Sequence, residues 1–215
     1  MKIQILISKN SWANQYQNFI LKRLNKFSKS KKIFNDHNNL KKNYDINIIF
    51  SYFKKIPDKF LKYSKFNLVP HESDLPKGKG MSPLSWQILA NKKKIYFSLI
   101  KATSEIDSGL IYYKKKITIP KNILLPEIKN IQLLENLKLI EKFLKYYRKY
   151  KKDPRGSKQI GISTHYKIRS FKDSRLNINK SLSQQFNLLR IVDNKMYPAF
   201  FKIYGKKFFL RIDEK

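Results

Sequence analysis

Three short apolar runs, at residues 2–8, 45–50 and 66–69, are separated by stretches of helical character, and this order constrains the fold more than any other feature. After the first run, Trp12, Tyr16, Phe19, Ile20, Leu24 and Phe27 recur at the spacing of one helix face, with Asn10 or Ser11 available as a cap. Residues 29–43 are polar and basic, a loop with room for a short strand at 32–34. After the second run, Pro57 opens a short helix through Tyr63. Strand, helix, strand, short helix, strand predicts a parallel sheet with crossover helices. The ligands of such sheets bind beyond the carboxyl ends of the strands.

A chain of 215 residues makes one domain with a small appendage, and its 41% hydrophobic content suffices for a core. Cysteine is absent, which excludes disulfides, thiolate metal sites and a cysteine nucleophile. No apolar run is long enough to span a bilayer, and residues 1–7 lead into Ser8-Lys9-Asn10 without a cleavage-site pattern, so a cytoplasmic protein is expected. The net charge of +32 points towards polyanions. Composition weakens that inference: 40 lysines, 18 asparagines and 27 isoleucines reflect AT-rich codons, and arginine, the better phosphate reader, numbers only 7.

The third strand is predicted to end at Pro70, placing His71 at the carboxyl edge of the sheet. Two glycines, Gly78 and Gly80, follow in a loop, and Ser82-Pro83 supplies a cap and first residue for the next helix. Beyond an alternating strand at 95–102, Glu105-Ile106-Asp107-Ser108-Gly109 sets a carboxylate in a turn. A histidine and a carboxylate on neighbouring loops above one sheet form a general-base pair. His37 and His165, in polar surroundings, read as ordinary surface or packing residues.

His71, Ser73, Leu75-Pro76, Gly80, Pro83 and Asp107-Ser108-Gly109 together resemble the 10-formyltetrahydrofolate-dependent formyltransferases. The wording His71-Glu72-Ser73-Asp74-Leu75-Pro76-Lys77-Gly78, then Ser82-Pro83-Leu84-Ser85-Trp86-Gln87, is similar to sugar-nucleotide N-formyltransferases of the pseudaminic acid type. The resemblance implies an α/β, Rossmann-like, mostly parallel sheet with flanking helices, a catalytic domain over residues 1–150 and a small α+β extension over 151–215. It also implies attack of a neutral primary amine on a formyl carbon through an oxyanion, without a metal. His71 would stabilise the oxyanion or shuttle the proton, and Asp107 would orient the imidazole. Ser73, Leu75, Pro76, Lys77, Gly78 and Gly80 would face the folate. Trp12, Arg169, Arg190, Asp193 and Tyr197 are assigned to the acceptor, a nucleotide-linked amino sugar.

One departure stands out. The family has a catalytic asparagine two residues before the histidine, where this chain has Val69, and Asn67 stands four before. In a regular strand that displacement is roughly 13 Å, so Asn67 is a catalytic candidate only if Pro70 bends the chain.

Residues 126–150 carry the periodicity of a long amphipathic helix with a core-facing stripe. Ser181 and Gln184 form a capping box before a helix bearing Phe186, Leu189 and Ile191, and residues 198–203 and 206–212 form a hairpin about Tyr204-Gly205. Two other readings compete: a methionyl-tRNA formyltransferase, disfavoured because about 65 residues beyond Tyr150 leave little room for a tRNA-binding barrel, and a noncatalytic basic RNA-binding protein. Neither a specific nucleic acid nor a membrane is expected as partner, and a homodimer is left open.

Overall fold

In the computed structural model, which describes residues 1–214, β1 (Ile3–Leu6) is buried along its whole length. A 3₁₀ turn at Trp12–Tyr16 leads into α1 (Gln17–Leu24). The single helix expected over 12–27 is thus broken in two: Ser11 accepts from the Ala13 N–H at 3.1 Å and caps the tighter turn, in a stretch rich in asparagine. Next come β2 (Lys31–Phe34), β3 (Tyr44–Ile49), α2 (Asp58–Leu61) and β4 (Ser64–His71). The site-bearing segment holds β5 (Lys79–Gly80) and α3 (Pro83–Leu89), then β6 (Ile95–Lys101) and β7 (Ile111–Ile117). The long α4 (Leu125–Tyr150) follows, and the extension adds β8 (His165–Tyr166), α5 (Phe186–Leu189), β9 (Ala199–Ile203) and β10 (Lys206–Leu210).

The main sheet has the order β2-β1-β3-β4-β6-β7, parallel from β2 to β4, with β6 and β7 antiparallel at one edge. Side chains of β1, β3 and β6 pack against Ile20 and Leu24 of α1 and against Leu137, Ile140, Phe143 and Leu144 of α4. Leu6, Leu40, Ile49, Ile56 and Phe60 cover part of the opposite face. The extension gathers a small core of its own from Leu176, Leu189, Val192 and Ala199. No helix of the described residues is long and apolar enough to cross a membrane.

Three local expectations are corrected. The strand does not end at Pro70 but runs to His71, with Pro70 opposite Leu99 and His71 opposite Ser98. Pairing with β3 has already stopped at Leu68, so the missing proline N–H breaks no ladder bond on that side. Ser82 makes no side-chain cap and sits in the left-handed region at φ 54°, leaving Pro83 alone to start α3. The Ser181–Gln184 box forms as expected, with the Gln184 N–H 3.2 Å from Ser181 Oγ, but the helix after it is only four residues long.

Candidate active site

β4 delivers His71 to the carboxyl edge of the parallel strands, where its imidazole is 6% exposed. Nε2 lies 2.8 Å from the Gly78 carbonyl, and because a carbonyl only accepts, Nε2 carries a proton. Nδ1 faces Asp107 Oδ2 at 3.6 Å. That carboxylate oxygen also accepts from the Gly80 N–H at 2.9 Å, so the glycine loop and the carboxylate turn hold each other as well as the histidine. Asp107 itself adopts φ 52°, a left-handed conformation unfavourable for a residue with a Cβ and kept by its surroundings.

Those surroundings come from the extension. Gln159 Nε2 donates to the carbonyls of Asp107 (2.8 Å) and Gly109 (2.9 Å). The Gly78 N–H donates to the Thr164 main chain and hydroxyl, the Lys79 N–H donates to Thr164 O, and β5 pairs in parallel with β8. Gly109 has to be glycine, since a Cβ there would stand 1.8 Å from the Lys101 carbonyl.

A cavity of about 240 Å³ opens over this pair. Ile49, Phe50, Ile56, Leu61, Val69, Ile100, Ala102 and Ile106 form an apolar end with Lys54 and Lys55 beside it, while Trp12, Glu72, Lys129, Gln132 and Asn136 form a polar end. The Lys129 ammonium lies 4.6 Å above the Trp12 ring and donates to Gln132 Oε1 at 2.9 Å. Although the residue is partly exposed as a whole, desolvation lowers its ammonium to about 8, against a raising influence from Glu72, a lowering one from Arg169 and a raising one from Asp193.

Of the residues singled out in the sequence, His71, Asp107, Gly80 and Trp12 therefore meet at one cavity. Ser73, Leu75, Pro76 and Gly78 are buried in the loop beneath it, and Lys77 points to solvent. Asn67 is not brought to the cavity: its Nδ2 donates to the Leu61 carbonyl at 2.7 Å and its Oδ1 accepts from Asn47 at 3.0 Å, tying β4 to α2 and β3. No bend at Pro70 recovers it, because β4 is continuous. Arg190 is likewise absent from the cavity, being 3% exposed and spending its guanidinium on the carbonyls of Ile123 (3.1 Å) and Pro120. Arg169 donates to Ile191 O at 3.1 Å. Asp193 Oδ1 accepts from the N–H groups of Lys195 and Met196, and Tyr197 closes that turn, so neither lines the cavity.

Sequence reasoning missed the polar end. Lys129, Gln132 and Asn136 stand at i, i+3 and i+7 of α4, one face, and this polar interruption of an otherwise apolar stripe was the available signal. Glu72 was passed over as the residue between two motif positions.

No family model matches the chain. It is 35% identical to a methionyl-tRNA formyltransferase of Buchnera aphidicola over 158 residues, which are 70% of this chain and 48% of that protein. The chain spans about half the length, or less, of the curated relatives it matches. Among solved structures, a sugar N-formyltransferase from Shewanella superposes with a TM-score of 0.67 at 17% identity, covering 100% of this chain and 98% of that one. HypX from Aquifex aeolicus, in complex with tetrahydrofolic acid, superposes with a TM-score of 0.73 at 16% identity, covering 99% of this chain and 37% of that one. The chain thus has the Rossmann-like fold of the formyltransferases and is similar to one of them in sequence over most of its length.

Proposed function

We propose that the chain is a folate-dependent N-formyltransferase acting in the cytoplasm, moving the formyl group of 10-formyltetrahydrofolate to the primary amine of a nucleotide-linked amino sugar. The observation that carries this reading is the His71–Asp107 pair, 3.6 Å apart and clamped between a glycine loop and a strand edge at the floor of a cavity. The cavity suits the donor. Its apolar end offers walls for a flat heterocycle, and Lys55 stands where the carboxylates of a glutamate tail would be met, beside Lys54, whose ammonium is paired with Asp36 at 2.7 Å.

The donor, when bound, supplies an electrophilic formyl carbon. The chain supplies positioning and proton handling. Nε2 of His71 is committed to Gly78 O, so Nδ1 is the atom at which a proton is held or moved, with the Asp107 carboxylate beside it to balance the charge. The Gly80 N–H keeps Asp107 from rotating away. His71 is buried and the Asp107 side chain is only 10% exposed, which limits bulk water at the reacting centre.

The similarity to a methionyl-tRNA formyltransferase favours a second reading, the same chemistry on an aminoacylated tRNA. One assay separates the two: purified protein and 10-formyltetrahydrofolate are offered a panel of nucleotide-linked amino sugars and, separately, methionyl initiator tRNA, with formylation read by mass. A sugar formylated faster than the tRNA is expected. The reverse order promotes the second reading, and no transfer to any amine removes both.

A further inference from the structure

In a chain with 47 lysines and arginines, Glu72 is a buried carboxylate that forms no ion pair with any of them among the described residues. The residue is 7% exposed, follows His71 in the chain and lines the same cavity. Its Oε1 accepts from Asn136 Nδ2 at 2.6 Å, and Asn136, 1% exposed, is fixed on α4. Its Oε2 has no partner, yet it is not among the fully enclosed unsatisfied atoms, so it opens towards the cavity. Lys129 is near enough to feel the charge, but its ammonium is engaged by Gln132 Oε1 and the Trp12 ring. A buried carboxylate that no cation contacts directly is costly, and here Asn136 satisfies one oxygen while Lys129 offsets the charge only through space.

We propose that the missing cation is supplied by the substrate: Glu72 is the ammonium-binding subsite for the acceptor. Resting on the formyl-transfer reading, it assigns Oε2 to an N–H of a primary ammonium and Asn136 to holding the carboxylate towards His71. Capture would set the amine beside the His71–Asp107 pair before it loses its proton.

The test uses the full chain saturated with tetrahydrofolate and two sugars of one shape, glucosamine and glucose, at about pH 6.5, where an amine of this kind is charged. Binding is followed by saturation-transfer NMR. Wild-type protein is expected to prefer glucosamine by at least about fivefold, and Glu72→Gln, which keeps the Asn136 contact but removes the charge, to lower that preference below about twofold. Glu72→Asp, which withdraws the charge by one methylene, should fall between. Tetrahydrofolate affinity, measured on the same samples, should be unchanged, and the melting temperature of Glu72→Gln should be no lower than wild type, because the substitution removes a buried charge and keeps the Asn136 contact. Equal binding of the two sugars by wild-type protein, binding of neither, or an undiminished preference in Glu72→Gln would overturn the proposal. An ammonium preference lost in Glu72→Gln without any formyl transfer would leave the subsite standing and sink only the assignment of activity.

Discussion

At the scale of single residues, the site separates groups that can touch a reacting molecule from groups that only resemble such residues in sequence. His71→Ala and Asp107→Ala should each lower turnover by about a hundredfold or more while leaving tetrahydrofolate affinity near wild type, the scale of general acid-base groups. Single-turnover formylation measures this, and near-normal turnover in either variant removes it from the mechanism. Asn67→Ala should behave differently. With Asn47 and the Leu61 carbonyl left unpaired, it should cost on the order of 1–3 kcal/mol of stability in urea titration while turnover stays within about threefold. Lys129 gives a pH signature. Its native ammonium titrates at about 8 and an unfolded lysine at about 10.4, so between those values the unfolded chain binds more protons and stability rises with pH. Lys129→Met should flatten that rise in melting curves from pH 7 to 10 and be the more stable protein at pH 7. Of these residues, His71 and Asp107 were legible in the sequence because a local motif carries them. Glu72 and Asn136 were not, since their meaning lies in a contact across 64 positions that no spacing reveals.

At the scale of elements, the glycine loop and the Asp107 turn are both held from outside by residues 159–167. This segment carries no signal in the sequence because its bonds are made by main-chain groups, one glutamine and one threonine hydroxyl. Gly80 tests the arrangement. Its φ of 93° and the 2.5 Å a Cβ would leave to the Tyr166 carbonyl mean that Gly80→Ala must part β5 from β8. Calorimetry should show tetrahydrofolate affinity falling at least about tenfold in that variant, and Gln159→Ala should lower turnover more than affinity, because it frees the Asp107 turn alone. A Gly80→Ala protein with wild-type affinity would show that the latch has no bearing on the loop. The strands and α4 were readable because burial imposes their periodicity. The split of the first helix, the reach of β4 through Pro70 and the brevity of α5 were not, since each depends on which partners stop or start beside it.

At the scale of the whole molecule, the +32 charge is distributed in a way that argues against a nucleic-acid surface. Of the seven arginines, Arg23 is tied to Glu141, and Arg148, Arg169 and Arg190 donate to main-chain carbonyls, so more than half of the planar forks suited to phosphates already have an acceptor within the protein, although Arg148 stays at the surface. What remains outside is largely lysine, which attracts polyanions as a point charge without selecting among them. RNA should accordingly bind weakly and without sequence preference, and raising salt from about 50 to 200 mM should remove most of that binding, as counterion release requires. The proposed formyl transfer would rest on the His71–Asp107 pair and a cavity that salt screens far less, so turnover on an amino-sugar acceptor should survive the same change within about threefold. Fluorescence anisotropy with a labelled RNA and a formylation assay across one salt series measure both. If the two activities fall together, the lysine surface takes part in holding the acceptor, and an aminoacylated tRNA becomes the better substrate.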